Sequence, residues 1–271
     1  MNILKFIESF TNENFMQSTG SRRDSFGQFK QLGKDFALAS IPMGLLSMTS
    51  QTSTAATNTS AAETPITALQ LALKLEYLEN EFYQLGLSSG VIPAGANSGR
   101  DLKVFQQIAQ HEASHVQFLI TGLGGTSSPN FVPKPTFDFT VGGAFDPFHD
   151  YQQFLALSQA FEDTGVRAYK GQAANLISAP DLLTAALQIH SVEARHASEV
   201  RRIRGLKGWI TGNTRGAGMP TQTQAVYDGE ENTNQAGYNT AALFGANAGT
   251  ESYDEPLTGA QAISIASLFI V

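Results

Sequence analysis

Cysteine is absent from the 271 residues of the chain. This absence excludes a disulfide framework, a thiolate zinc site, an iron–sulfur cluster and a cysteine nucleophile. It does not indicate a redox compartment, because a protein without thiols suits either side of a membrane. A metal site in this chain would therefore depend on carboxylate oxygens and histidine nitrogens.

Charged side chains are also scarce, at 15 % of the residues, and the formal net charge is −7. No stripe of Lys and Arg stands out that could neutralise phosphates, so nucleic acid is not expected as a partner. No apolar run approaches the roughly 20 residues that span a bilayer, so no transmembrane segment is predicted. Hydrophobic residues make up 42 % of the chain, which is typical of a globular protein. The length predicts one domain with extensions. A homo-oligomer of the chain is possible.

Residues 1–62 have the composition of an N-terminal extension. Arg22 and Arg23, followed by the apolar stretch Phe36–Met48 and an uncharged Ser/Thr/Ala linker, resemble a twin-arginine export signal. The pattern predicts an exported, periplasmic protein. The alternative is an N-terminal helix that packs on the domain of a cytoplasmic protein.

Helical periodicity is concentrated in residues 63–206, where apolar side chains recur at spacings of three and four. The connection from Gly122 to about Pro147 is too long for a tight turn and suits a crossover. We therefore predict an all-α, antiparallel four-helix bundle with a long crossover between the second and third helices. Residues 207–271 predict an irregular tail, with a short helix in Leu257–Ile270 that packs on the bundle. The predicted bundle helices run from Thr64 to about Ser88, from about Ser98 to Thr121, from about His149 to Leu176 and from about Ser178 to Gly205.

Six ionisable residues fall in the apolar stripes of these helices, where burying an unpaired charge would cost several kcal/mol. Two of them form each Glu-x-x-His motif, and three residues along a helix bring both side chains to one face. Carboxylates and imidazoles that converge in a bundle core can be compensated by two metal ions, and these ligand types suit iron or manganese. The six candidate metal ligands are Glu76, Glu112, His115, Glu162, Glu193 and His196.

A second regularity links the two halves of the domain. Tyr83 follows Glu76 by seven residues, and Tyr169 follows Glu162 by the same step. Seven residues are two helical turns, so each tyrosine lies on the face of its glutamate. Each half therefore reads as a Glu…Tyr helix followed by a Glu-x-x-His helix. Glu79, one turn from Glu76, is an alternative ligand in the first helix, although the seven-residue step favours Glu76.

This pattern resembles the ferritin-like di-iron carboxylate superfamily. Two segments are also similar to bacterial ferritin-like proteins related to desiccation-related proteins: "ALKLEYLENEFYQLG" in the first helix, and the tail "AVYDGEENTNQAG…YDEPLTGAQAISIASLFI". The resemblance implies that the protein binds two iron ions and that dioxygen or peroxide oxidises the bound Fe(II). Manganese is a possible alternative metal.

The resemblance also implies roles for the candidate ligands. Glu112 and Glu193 would bridge the two metals, and Glu76 and Glu162 would be terminal ligands. His115 and His196 would each bind one metal. Tyr83 and Tyr169 would hydrogen-bond to the terminal glutamate of the opposite half, fix its orientation and could donate an electron.

Two other functions compete for these residues. His111-Glu112-Ala113-Ser114-His115 is an H-E-x-x-H sequence, the motif of zinc metallopeptidases. The extended form of that motif is missing, because Phe118 and Gly122 occupy its glycine and third-histidine positions. A structural or stress-protective protein with a purely structural metal site is the other alternative.

The remaining charged residues predict no site. His111 is expected beside the ligands and off their face, and His149 and His190 as capping or packing residues. Glu81, Asp163 and Glu199 are expected on the solvated face of the bundle. The acidic run of residues 228–231 is expected in a surface loop.

Overall fold

The structure is a computed structural model and describes residues 63–271. Its core is a bundle of four long helices, in which α1 packs most extensively on α2, and α3 on α4. The two pairs meet through contacts of α1 with α3 and of α2 with α4. The predicted all-α four-helix bundle is confirmed. The bundle helices are α1 (Pro65–Ser89), α2 (Arg100–Gly122), α3 (Tyr151–Gln172) and α4 (Pro180–Ile203).

The helix ends follow local signals in the sequence. Thr64 caps α1 with a reciprocal capping box to Thr67, and Pro65 occupies the first turn. Gly90 ends the helix at φ 75°, in the left-handed region that glycine adopts without strain. Asp150 caps α3 by accepting hydrogen bonds from the backbone of the first turn. These signals explain why the predicted ends lie within two residues of the observed ones, except at the end of α3, where residues 173–176 form a 3₁₀ turn.

An aromatic cluster fills the end of the bundle that adjoins the crossover. Phe82 stacks on Phe154 at 5.0 Å between ring centroids and meets Phe161 edge to face at the same distance. Gly86 makes the first contact feasible, because a Cβ at this position would lie 2.2 Å from the Phe154 ring. The crossover, residues 123–150, adds Phe139 to the cluster and pairs with the C-terminal segment through the Asp138 backbone amide.

The tail is more regular than its composition predicts. The predicted irregular tail contains a 3₁₀ turn (Thr221–Val226), a hairpin of β1 (Asn234–Gln235) and β2 (Tyr238–Asn239), and α5 (Ala241–Thr250) before its C-terminal helix. Gly245 interrupts the helical dihedral angles of α5 at φ 85°. The short C-terminal helix is α6 (Gly259–Ala266), which buries Ala262 and Ala266 against the bundle.

Arg167 of α3 attaches the tail to the bundle. Its side chain is 1 % exposed and pairs with Glu230 at 2.7 Å. The guanidinium also donates hydrogen bonds to the backbone carbonyls of Val226, Asp228 and Glu255. The prediction that residues 228–231 form a surface loop is therefore wrong for Glu230, because a buried arginine compensates its charge.

Asp163 is a second correction. It was expected on the solvated face, but it is buried, forms an ion pair with Arg201 of α4 and accepts a hydrogen bond from Tyr227 at 2.8 Å. Glu81 and Glu199, by contrast, are partly exposed and pair with Lys134 and Arg100. None of the helices in residues 63–271 is both long enough and apolar enough to span a bilayer. The predicted export signal lies outside the described residues.

Candidate metal centre

The six candidate ligands lie on the inner faces of the four bundle helices. The α1 and α3 helices contribute one glutamate each, and α2 and α4 contribute a Glu-x-x-His motif each. All six side chains are buried, with relative exposures between 0 % and 9 %. The structure therefore brings together every ligand that the sequence predicted, at the middle of the bundle.

The first cluster contains Glu76, Glu112, His115 and Glu193, each of which offers one ligand atom within 4.8 Å of the others. The Nδ1 atom of His115 is at its centre. It lies 3.2 Å from Glu76 Oε2, 3.0 Å from Glu112 Oε2 and 3.2 Å from Glu193 Oε1.

The second cluster contains Glu112, Glu162, Glu193 and His196, with ligand atoms within the same limit. The Nδ1 atom of His196 lies 2.9 Å from Glu112 Oε1 and 3.2 Å from Glu162 Oε2. Glu112 and Glu193 thus belong to both clusters. Glu112 offers a different oxygen to each histidine, so one carboxylate serves both clusters.

Several ligand atoms at this centre are unsatisfied. Within the described part of the chain, Glu112 Oε1, Glu162 Oε2, both oxygens of Glu193 and Nδ1 of His196 are buried and have no hydrogen-bond partner. His196 Nδ1 and Glu112 Oε1 are close, yet their geometry is not that of a hydrogen bond. Buried polar atoms are nearly always paired, because each unpaired one costs about 1–3 kcal/mol. Lone pairs that converge in this way fit metal ions.

The electrostatics of the metal-free centre lead to the same conclusion. Burial, with a further contribution from the charge of Glu112, raises the pKa of Glu76 to about 8. Burial and the neighbouring carboxylates also raise the pKa of Glu193. Burial acts to lower the pKa of His196, but the charge of Glu162 and contacts with Glu112 outweigh it and raise the pKa to about 11. These shifts show that the carboxylates of the centre favour a compensating positive charge, which either protons or cations can supply.

Two tyrosines join the halves of the centre. The hydroxyl of Tyr83 donates to Glu162 Oε1, and that of Tyr169 donates to Glu76 Oε1, both at 2.5 Å. Each tyrosine thus bonds to the glutamate of the opposite half. Because Oε1 is occupied, Oε2 of each glutamate remains to face its histidine. Burial raises the pKa of both hydroxyls well above the ordinary value, so both remain protonated donors.

Glu79 lies beside the clusters without being part of either. It is 2 % exposed, and burial and the charge of Glu193 raise its pKa. Gly165 of α3 provides the space for both carboxylates, because a Cβ there would lie 3.1 Å from Glu193 Oε2 and 3.2 Å from Glu79 Oε1. The geometry assigns the cluster position on α1 to Glu76 and leaves Glu79 as a fifth buried carboxylate.

His111 does not converge with His115 on a shared point. Its Nδ1 atom lies 2.9 Å from Nε2 of His196, and its Nε2 atom lies 2.8 Å from the side-chain amide of Gln107. The H-E-x-x-H sequence therefore does not form the histidine pair of a zinc peptidase here. The sequence placed His111 beside the ligands but gave no sign of its contact with His196, which is 85 residues away. His149 is largely exposed and contacts Asp146 at 2.7 Å.

Comparison with known proteins matches this geometry to a family. Residues 64–206, more than half of the chain, match the model of the ferritin-like domain. This match confirms the fold that the resemblance predicted, and it covers α1 to α4 with all six candidate ligands. No curated protein matches the chain, and the predicted similarity to desiccation-related proteins stays a prediction.

Proposed function

We propose that this chain, which belongs to the ferritin-like domain family, binds two iron ions among its bundle helices and oxidises Fe(II) with dioxygen or peroxide. The observation that supports the proposal is the pair of clusters that share Glu112 and Glu193 and leave buried ligand atoms unpaired. Iron held there would supply one-electron chemistry toward oxygen.

Each ligand has a role in this proposal. Glu76 and His115 would hold one metal, Glu162 and His196 would hold the other, and Glu112 and Glu193, which belong to both clusters, would contribute to both. The four glutamates carry four negative charges when ionised, which two divalent cations neutralise. Burial and the repulsion from Glu112 raise the pKa of Glu76, and two divalent cations would remove the repulsion. Iron is favoured over zinc because the site offers oxygen-rich ligands, and manganese suits the same ligands.

The tyrosines orient the terminal glutamates. The short hydrogen bonds from Tyr83 and Tyr169 hold one carboxylate oxygen of Glu162 and Glu76 and aim the other at the centre. Both rings are buried close to the metal ligands, so each could donate an electron to the centre during oxidation.

Anaerobic reconstitution tests the proposal. We expect protein purified without metal to bind two Fe(II) per chain, measured by elemental analysis, and to oxidise them when dioxygen or peroxide is added, measured by ultraviolet absorbance. Glu81→Ala, which changes a partly exposed glutamate of α1, is the matched control and should behave as the unaltered chain. Binding of a single zinc ion, with no uptake of Fe(II) or Mn(II), would contradict the proposal.

The deep burial of the ligands favours a second candidate, a purely structural two-metal site in a stress-protective protein. In that case Fe(II) or Mn(II) should raise the thermal midpoint of unfolding, while the bound Fe(II) should be oxidised no faster than Fe(II) in buffer. We do not propose peptidase activity, because His111 faces His196 and not His115.

We also propose that the protein is exported, on the basis of Arg22, Arg23 and the apolar stretch that follows them. Cell fractionation of the native host and sequencing of the mature N-terminus test this. An intact Met1 in a cytosolic fraction would defeat it.

A further inference from the structure

The two halves of the metal centre differ at one position that their internal repeat makes equivalent. Each half carries Glu-x-x-His, with Glu112 in α2 and Glu193 in α4. The residue before the glutamate is His111 in the first half and Val192 in the second. A histidine can hydrogen-bond through its ring, whereas a valine side chain cannot.

This difference affects the two ligand histidines unequally. Nδ1 of His196 faces the second cluster, and its Nε2 atom lies 2.9 Å from Nδ1 of His111. The planes of these two rings are within 11° of parallel. Nδ1 of His115 faces the first cluster in the same way, but among residues 63–271 its Nε2 atom has no hydrogen-bond partner.

Metal binding would fix the direction of this hydrogen bond. A neutral imidazole that binds a metal through Nδ1 carries its proton on Nε2, so His196 must donate to Nδ1 of His111. His111 then carries its own proton on Nε2, which faces the Gln107 side chain at 2.8 Å. The amide oxygen of Gln107 can accept a hydrogen bond from this N–H group, because the amide nitrogen and oxygen exchange places by a flip of the group.

We propose that His111 is a positioning residue that makes the two metal positions unequal. The metal held by His196 binds more tightly than the metal held by His115. The reason is that the hydrogen bond fixes the orientation of the His196 ring and makes its Nδ1 atom a stronger electron-pair donor to the metal. Losing such a partner typically lowers metal affinity by about 10–100-fold. This inference rests on the two-metal site of the proposed function.

Anaerobic titration of the full chain with Co(II) or Mn(II) tests the inference without measuring activity. We expect two binding steps in the unaltered chain, separated by at least about tenfold. His111→Val makes the two halves alike at this position, so the tight step should weaken by about 10–100-fold and merge with the weak one. His111→Gln keeps a hydrogen-bond acceptor and should restore part of the separation.

Two further variants identify the metal positions. His196→Ala should remove the tight step, and His115→Ala should remove the weak one. In a His111→Val background, Val192→His moves the histidine to the other half and should strengthen binding at the His115 position. Circular dichroism and the thermal midpoint check that each variant is folded, and His111→Gln carries the test where His111→Val does not fold.

The outcomes separate this inference from the proposed function. A chain that binds two metals with one affinity, or a His111→Val variant that weakens both steps equally, would overturn the role of His111 and leave the two-metal proposal intact. A chain that binds neither Co(II) nor Mn(II) nor Fe(II) would overturn both.

Discussion

Two regions of this molecule bury charge, and they balance it differently. At the junction of bundle and tail, Asp163 pairs with Arg201, and Glu230 pairs with Arg167 at 2.7 Å. Each acidic side chain there faces a basic side chain of the same chain. At the centre of the bundle, four clustered glutamates and the neighbouring Glu79 face two histidines, and several carboxylate oxygens have no partner in the described residues.

The difference distinguishes a structural ion pair from a ligand site. A buried carboxylate that is compensated by arginine within the chain needs nothing further and stabilises one arrangement of the tail. A group of carboxylates that the chain leaves uncompensated requires protons or cations from solution. Glu162 and Asp163 are adjacent on α3 and both buried, yet they belong to different regions by this criterion.

The largest expected effect is on metal binding. Glu193→Ala removes a carboxylate shared by both clusters, so the two cations would repel each other with less charge between them. We expect metal content to fall well below one ion per chain, with a similar loss for Glu112→Ala, measured by elemental analysis after anaerobic reconstitution. Glu199→Ala, on the same helix but in a surface ion pair, is the control. Loss of only one metal would indicate two independent sites.

The next effect is on folding stability at the junction. Asp163→Asn leaves Arg201 buried without its countercharge, which typically costs about 3–5 kcal/mol. Urea unfolding measures this change in the free energy of unfolding. Glu81→Gln breaks a partly exposed ion pair with Lys134 and should cost no more than about 1 kcal/mol. Equal effects of the two variants would mean that the Asp163 pair behaves as a surface pair.

Replacing an acidic side chain by its amide should have the opposite effect on folding stability at the centre of the bundle. In metal-free protein the pKa of Glu76 is raised from 4.5 to about 8 by burial and by the charge of Glu112. The folded state therefore holds this proton more tightly than the unfolded state, so the stability contribution is full below pH 4.5 and is lost as the pH rises to 8. Glu76→Gln removes this loss.

We therefore expect Glu76→Gln to be more stable than the unaltered chain at pH 8 and close to it at pH 5, in urea unfolding with a chelator present. Added metal should reverse the order at pH 8, because the unaltered chain then gains the binding free energy. A variant that is less stable at both pH values without metal would show that Glu76 is compensated in the way Asp163 is.

The smallest effect is expected at the tyrosines. Tyr83→Phe removes the hydrogen bond to Glu162 without removing a ligand. We expect both metals to remain bound and the rate of Fe(II) oxidation to change by about tenfold, the lower end of the range for partners of metal ligands. Tyr169→Phe is the matched variant of the other half. Stopped-flow absorbance measures both rates, and loss of a metal from either variant would contradict this role.

The sequence predicted the bundle well because its signals are local. Helix periodicity, Thr64 and Pro65 at one end and Gly90 at the other lie within the helix they define. The ligand set was predicted for a related reason: glutamates in apolar stripes are unexpected, and the repeat of Glu…Tyr and Glu-x-x-His linked four helices that no single motif could link. The structure then placed these residues in two shared clusters.

The errors arose where partners are distant in sequence. Asp163 was assigned to solvent because Arg201 and Tyr227, which compensate and bond it, lie 38 and 64 residues away. Glu230 was misassigned because Arg167 lies on α3. The α5 helix was missed because residues 207–256 as a whole are rich in glycine, asparagine and threonine, which favour loops, and because Gly245 lies inside the helix. The contact of His111 with His196 also needed the packing of α2 on α4, which no spacing along the chain encodes.

Because both clusters share Glu112 and Glu193, bound metal should also affect the rates of folding and unfolding. Each cluster takes residues from both helix pairs, α1 with α2 and α3 with α4, so neither proposed metal position would have a complete set of ligands until the pairs dock. A ligand that binds only after docking stabilises the native state more than the folding transition state. We therefore expect bound metal to slow unfolding strongly and to change the refolding rate little, which stopped-flow dilution with and without Mn(II) measures. Metal at the centre would therefore give the protein kinetic stability by holding the two helix pairs together.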